Sequence, residues 1–344
     1  MISLQKIKDK FFKEELSVGL DIGSSSIKAV ALEAKDKRFI LKKFNITQVT
    51  PAVTLSSTVK QGLGVMGISD EKINISLTGQ SMITRYVWLP LMSQKELISS
   101  LKFEAAKLIP FSIEEVNVDS YILKQDISNN KMLVLVVAAK KESVLERIKL
   151  IQDLGFKVGV VDVDSLALIN AFNFNYHSGA EKELPKVFAL LNIGASVSNL
   201  NILEEGIPVF SRDIYIAGSN FSQKITDSLG IDFSAAEQAK IEPDEAKQQK
   251  IAALVESIVS SLVFEIRISF DYYESQGASS VEKIFLSGGG SLFYNLKNNL
   301  NHMLGMDIDY WDPSRNLTFL ETNEAEKLKL TAAQFAVALG LAMR

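Results

Sequence analysis

The sequence contains no cysteine among its 344 residues. Disulfides, thiolate metal sites and thiol catalysis are thereby excluded. Histidine is almost as scarce. His177 and His302 are the only two, far apart and without a partner pattern, so both read as surface or hydrogen-bonded side chains rather than as ligands or bases. The net charge of −4 leaves no electrostatic case for nucleic acid or anionic lipid. Long apolar runs are missing as well. The longest, MLVLVVAA from Met132 to Ala139, falls far short of the ~18 residues that a membrane span needs. No secretory leader is visible, so a cytosolic protein without a transmembrane segment is expected. The N-terminal stretch MISLQKIKDKFFKEE sets Ile7, Phe11 and Phe12 beside Lys6, Lys8, Lys10 and Lys13. It reads as a solvated tail, with a short amphipathic helix lying on a membrane or partner as the alternative.

The length implies two domains or one two-lobed body, and a hydrophobic fraction of 47% allows large cores. Period-2 and fully apolar runs mark the strands. SVGLDIG and IKAVALEA are separated only by serines and read as a hairpin. RFILKKFNITQV continues that sheet, and KINISLTGQ and ITRYVWLP follow. The texture then changes. SQKELISSLKFEAAKLIPF reads as a helix carrying Leu97, Leu101, Ala105 and Leu108 on one face. Ser93 and Glu96 form a capping box at its start, and Pro110 stops it. Two strands, a helix and a further strand complete a compact insertion over 91–162. A second hairpin, VFALLNIGASVSNLNILEEG, repeats the opening pattern of apolar strand, small polar tip and apolar strand. Later come a long helix from Ala246 to about Ser275, with Leu254, Ile258, Leu262 and Ile266 on one face, then KIFLSGGG and an apolar terminal helix, TAAQFAVALGLAMR.

The tips carry the chemistry. A strand–turn–strand with small residues at its tip aims backbone N–H groups at one spot, a nest suited to phosphate oxygens. Ser24, Ser25 and Ser26 add hydroxyl donors, and Lys28 stands within reach of a phosphate. Asp21, at the strand end, is suited to hold Mg²⁺ through waters. One such tip is an ordinary polar turn; a second, from Asn192 to Ser198, makes a clamp for one phosphate chain. Three glycines after a strand, Gly288 to Gly290, allow a flat ring or sugar to approach the backbone. Glu237 and Lys240, three apart on a helix, share a face and could serve ribose hydroxyls or form a surface ion pair.

In this order, the phosphate hairpin, insertion, second hairpin, AEQAK helix, glycine strand and terminal helix resemble the actin-like ATPase superfamily, over about Ser17 to Arg344. The insertion after YVWLPLMSQKELISSLKFEAAKLIPF is similar to the extra subdomain of the FtsA and PilM families. DIGSSSIKAV, EAAKLIPF and ALGLAMR resemble the type IV pilus assembly PilM family most, and the C-terminal membrane-targeting helix of FtsA has no counterpart here. The resemblance implies an α/β fold with two actin-like lobes, duplicated RNase H-like domains, and an inserted subdomain. It divides the chain into a tail (1–16), a first lobe (17–90 and 163–185), the insertion (91–162), a second lobe (186–330) and a C-terminal helix (331–344) returning to the first lobe. It implies ATP or ADP with Mg²⁺ in the cleft. Asp21, Gly23, Ser24, Ser25, Ser26 and Lys28 match the first phosphate loop. Asn192, Gly194, Ala195 and Ser196 match the second, and Gly218 the segment joining the lobes. Glu237 and Lys240 match the ribose contacts, and Gly288, Gly289 and Gly290 the adenosine loop. For the pilus family it also implies a partner, the cytoplasmic N-terminal peptide of the inner-membrane protein PilN, seated beside the extra subdomain. Trp88, Leu89, Phe103, Ile109 and Phe111 are its candidate walls, with ordinary core as the equal alternative.

One departure bears on activity. The superfamily places an aspartate where this chain has Asn192. An amide keeps a carbonyl acceptor but loses the charge that would orient Mg²⁺ and the attacking water. Nucleotide binding with slow or negligible hydrolysis is therefore expected. Asp162, Asp164 and Glu142 are candidate bases that the sequence does not separate. The expected role is a cytoplasmic ATP-binding scaffold, peripheral at the inner membrane, relaying the state of pilus motor ATPases. A divisome-like filament former and a small-molecule kinase on the same fold are the alternatives.

Overall fold

The computed structural model describes residues 16–344 apart from 37, 177–183, 242 and 244. The N-terminal tail before Leu16 and His177 lie outside the described residues.

The chain opens with a meander, β1 (Leu16–Ile22), β2 (Ser26–Lys35) and β3 (Arg38–Gln48), followed by helix α1 (Leu55–Val65) and β4 (Lys72–Leu77). After an excursion it returns as α3 (Lys141–Gln152), β8 (Lys157–Val163) and α4 (Asp164–Tyr176). These strands form a six-stranded sheet in the order β14-β3-β2-β1-β4-β8, where β14 (Thr318–Phe319) arrives from late in the chain. The meander is antiparallel; β4 and β8 add in parallel, which requires the helical crossovers between them.

The second lobe repeats this plan. The strands β9 (Val187–Ile193), β10 (Ser198–Glu204) and β11 (Ile207–Ile214) make the meander, and β12 (Lys283–Ser287) and β13 (Asp307–Tyr310) add in parallel, giving β11-β10-β9-β12-β13. Helices α5 (Gly218–Leu229), α6 (Phe233–Ile241), α7 (Gln248–Glu274) and α8 (Leu296–Leu304) make its connections. The core line of α7 runs through Ile251, Val255, Leu262 and Ile266, while Leu254 and Ile258 sit at its edge. The repeat read from two hairpins thus extends through five strands of each sheet.

The third sheet, β5-β7-β6, is built from β5 (Met82–Pro90), β6 (Val116–Asp126) and β7 (Lys131–Lys140). Helix α2 (Gln94–Leu108) covers one face, with Leu97, Leu101 and Ala105 buried against Met132, Val134 and Val136. The Ser93–Glu96 capping box opens α2. By strand pairing this unit spans 82–140, not 91–162. β5 pairs with β7 along its whole length, β8 pairs with β4 of the first sheet, and Ile151 of α3 packs into the first lobe. The alternation of β5 gives no clue to which sheet it joins. The change of sheet is made by the turn at Gly79, which has φ +78°, open to glycine at little cost.

The C-terminal segment runs through α9 (Thr322–Thr331), a 3-10 turn and α10 (Ala336–Ala342), whose residues are all buried. Helix α10 lies backbone against backbone on its neighbours. A Cβ on Gly340 would sit 1.8 Å from the Ala167 carbonyl oxygen of α4, and one on Gly19 of β1 would sit 2.1 Å from that of Ala338. Among the described residues no helix is long and apolar enough to cross a membrane.

Candidate functional site

The site lies where β1 and β9 end. Their hairpin tips are the same turn made twice: a Cβ on Gly23 would meet the Ser26 carbonyl oxygen at 2.8 Å, and one on Gly194 that of Val197 at 2.7 Å. The tips touch, the exposed Ser24 hydroxyl donating to the Ser196 hydroxyl at 3.0 Å. Ser25 and Ala195 flank this contact on their turns, whereas Ser26 is already the buried first residue of β2. Asp21 and Lys28 face each other across the first hairpin, with Nζ 3.2 Å from Oδ2. Lys28 thus spends its charge on Asp21 and does not stand free at the tip.

The second tip is packed from behind by glycines. Gly218 N–H donates to the Gly194 carbonyl at 3.0 Å, and Ser219 N–H to that of Ala195 at 2.8 Å. Gly288 has φ +89°, and any Cβ there would fall 2.2 Å from the Ile193 carbonyl oxygen; a Cβ on Gly290 would fall 2.6 Å from that of Gly194. Gly289 stands between them against Gln334. The glycine loop, Gly218 and the second tip therefore form one close-packed wall. Lys240 joins it. Its ammonium, on a residue only 4% exposed, donates to Glu237 at 2.7 Å and more weakly to the Gly218 carbonyl at 3.4 Å. Ser222 also donates to the Glu237 carboxylate. Two residues that could have been a surface ion pair are thus held at the base of the second tip.

Behind the second tip runs a ladder of amides. Asn192, 8% exposed, accepts from the Ser287 hydroxyl at 3.1 Å and donates to Asn199 Oδ1 at 3.3 Å. Asn199 donates to Asp213 Oδ1 at 2.6 Å, and the Gly79 N–H donates to Asp213 Oδ2 at 3.1 Å. Asn192 and Asn199 are cross-strand partners, as Asp21 and Lys28 are in the first hairpin. Asp213 and Ser287 were not among the sequence candidates; aligning the two hairpins would have marked Asn199, but Asp213 looks like any polar residue of an alternating strand.

The three candidate bases separate clearly. Asp162 is buried and paired with Arg344 at 2.5 Å, and Glu142 is exposed on α3. Asp164 is the first residue of α4. Its burial among protein atoms, then the charge of Asp21 and that of Asp213, push its carboxyl up to about 7, against the Ser76 hydroxyl bond and the Arg147 guanidinium. No cluster of three metal-ligating side chains exists among the described residues. Asp21, already shared with Lys28, suits a cation held through water better than one bound directly.

A cavity of about 360 Å³ opens where the two lobes meet the third sheet, lined by Gly79, Ile83, Phe111, Val163, Asn199 and Asp213 among others. Tyr86 of β5 bonds Ser211 of β11 at 2.9 Å, and Ser211 donates to Asn201 at 2.6 Å; burial pushes the Tyr86 phenol up to about 12. Of the candidate partner-groove residues, Phe111 lines this cavity, Ile109 is buried and Leu89 packs in the same apolar cluster. Phe103 is 67% exposed on α2, under the Lys107 ammonium at 4.0 Å. Trp88 is 51% exposed and shares the β5 face of Tyr86, opposite the face that α2 covers. Trp88 and Phe103 therefore line no common groove.

A family model described as type IV pilus assembly protein PilM matches residues 19–344. Among solved structures, a chain of a PilM–PilN type IV pilus biogenesis complex superposes with a TM-score of 0.84 and 26% identity, covering 96% of this chain and 99% of that one. The ethanolamine utilization protein EutJ from Carboxydothermus hydrogenoformans superposes at 0.56 with 10% identity, covering 98% of each chain, a likeness of fold alone. The architecture is the actin-like ATPase fold, α/β throughout. With the match running from β1 to the last residue, the chain belongs to the type IV pilus assembly protein PilM family.

Proposed function

We propose that this protein is a cytoplasmic nucleotide-binding scaffold of the type IV pilus platform, held at the inner face of the inner membrane by its partner. The observation that carries this reading is the contact of the two tips at Ser24 and Ser196, with Lys240, Glu237, Gly218 and the Gly288–Gly290 loop packed behind the second. A phosphate oxygen that replaced the Ser24–Ser196 contact would bridge both lobes. Asp21 would hold Mg²⁺ through water, Glu237 and Lys240 would face the ribose, and the glycine loop would lie along the adenosine. The bound ion would supply positive charge to the phosphates. ATP or ADP would then fix the angle between the lobes.

The partner in this reading is the cytoplasmic N-terminal peptide of PilN, a reading supported by likeness to a PilM–PilN complex. The junction cavity, walled by β5 and Phe111, would take an extended segment with apolar anchors. The scaffold would relay the state of the pilus motor ATPases to the membrane complex. Asn192 supplies no charge toward an attacking water, so turnover would be slow. A second reading, hydrolysis or phosphoryl transfer with Asp164 as base, draws on its raised carboxyl, pushed up by burial and by the charges of Asp21 and Asp213.

The test is binding of a fluorescent ATP analogue with Mg²⁺ to wild type and to Asp21→Ala, with phosphate release scored in the same samples. Tight binding that depends on Asp21, with little release, is the expected outcome. No binding by wild type would sink the phosphate-clamp reading, and rapid release abolished by Asp164→Asn would favour the second.

A further inference from the structure

The junction cavity and the nucleotide tip share side chains. Gly79, Asn199 and Asp213 all line the cavity. The same three groups begin the hydrogen-bonded ladder that ends at Ser287, next to the glycine loop. Every donor in that ladder points toward the Asp213 carboxylate. Gly79 N–H and Asn199 Nδ2 donate to it directly, Asn192 Nδ2 donates to Asn199, and Ser287 Oγ donates to Asn192. The carboxylate is acceptor only, so it fixes which way round each amide lies. No amide can turn over without setting one acceptor against another, and bonds aligned in one direction strengthen each other.

The ladder also spans the bodies. Gly79 belongs to the turn that carries the first lobe into β5 of the third sheet. Asp213 is on β11, the edge of the second lobe's sheet. Asn192 is the last residue but one of β9, beside the phosphate tip. We propose that Asp213 couples the two sites: an occupant of the junction cavity holds the Gly79–Asp213 clasp closed, and that clasp holds Asn199 and Asn192 in the arrangement that sets the second phosphate tip. This rests on the reading above that one site takes nucleotide and the other the partner peptide. Coupling carried by a shared element is reciprocal. The peptide must tighten nucleotide by the same factor as nucleotide tightens the peptide.

The experiment uses the full chain, a fluorescent ATP analogue with Mg²⁺, and a synthetic peptide of the cytoplasmic N-terminus of the cognate PilN. Each ligand is titrated with and without saturating amounts of the other. For wild type, a tightening of roughly fivefold or more in both directions is expected. Asp213→Asn keeps the shape but turns one acceptor into a donor, facing Gly79 N–H or the Asn199 amide; because Asp213 also lines the cavity, the peptide's own affinity shifts with it, and the readout is the ratio of affinities with and without the other ligand, which should fall to about one. Tyr86→Phe removes the neighbouring bond to Ser211 but leaves the ladder intact, and the factor should persist. Both ligands binding wild type with affinities independent of each other overturns the coupling while leaving the two-site reading intact. Equal loss of coupling in Tyr86→Phe and Asp213→Asn overturns it too, since general loosening of the interface would then suffice. Failure of either ligand to bind wild type removes both the coupling and the reading on which it rests. The wild-type titration decides the point even if Asp213→Asn does not fold.

Discussion

The substitution Asn192→Asp would restore the residue type that this superfamily carries at the second tip, and the structure predicts that by itself it is harmful. Asn192 donates to Asn199 Oδ1 at 3.3 Å and is nearly buried. A carboxylate there has no hydrogen to give, so two acceptors would face each other. Asn199 cannot relieve the clash by turning its amide, because its Nδ2 is held by Asp213 at 2.6 Å; turning would move the clash one rung along. One orphaned buried hydrogen bond costs about 1–3 kcal/mol, and the uncompensated charge raises this, so about 2–4 kcal/mol at pH 8 is expected. For a chain of this size that is a fall of roughly 3–6 °C in Tm. A carboxyl destabilised in its charged form holds its proton to higher pH in the folded state than in the unfolded. The penalty is therefore full at high pH and fades as pH falls and the protonated group donates to Asn199 again. The double variant Asn192→Asp with Asn199→Lys copies the Asp21–Lys28 pair of the first hairpin, and should recover most of the loss. Phosphate release should exceed wild type in that background. Scanning calorimetry of the three proteins at pH 5 and 8 makes the comparison. A single variant as stable as wild type at pH 8 would refute the directed ladder.

Packing and charge set three further outcomes. Gly340→Ala puts a methyl group 1.8 Å from the Ala167 backbone oxygen, which only a shift of α10 from α4 can relieve; a loss of about 3 kcal/mol or more is expected by urea denaturation. Gly64→Ala, in α1 with nothing within 4 Å, should instead stabilise by about 0.4–1 kcal/mol in the same assay. Asp164 keeps its proton up to about 7 in the folded protein, whereas the unfolded chain releases it near the ordinary carboxyl range. Between those two values the folded state binds more protons, so stability should fall as pH rises and level off above about 7. Asp164→Asn should flatten that slope in denaturation curves taken from pH 5 to 8.

What the sequence made legible was what repeats or alternates. The two hairpins were readable because apolar runs broken by small polar residues occur twice, and the structure carries that repeat through five strands of each sheet. The capping box at Ser93 was readable because two side chains suffice to make it. The border of the third sheet was not, because β5 alternates like its neighbours and only pairing with β7 assigns it. Trp88 and Phe103 are close in sequence and apolar, yet strand alternation and the α2 cover put them on opposite sides. Asp213 could not be found from its own neighbourhood. Its partners Asn199 and Gly79 lie 14 and 134 residues away, and their meeting depends on how the lobes close on the third sheet.

The two tips differ in charge. Their turns are alike to the position of a carbonyl oxygen, so backbone geometry does not distinguish them; electrostatics does. In the first hairpin a carboxylate and an ammonium pair across the strands, next to the cleft. In the second the corresponding positions are neutral amides, and the carboxylate stands one strand further out, at Asp213 on β11. There it accepts from the turn leading into the third sheet and reaches the cleft only through Asn199 and Asn192. A carboxylate at the tip would act on a metal or a water; one placed on β11 holds the Gly79 turn instead. The second lobe thus sets the carboxylate of this ladder against the turn that leads into the third sheet rather than at its own tip.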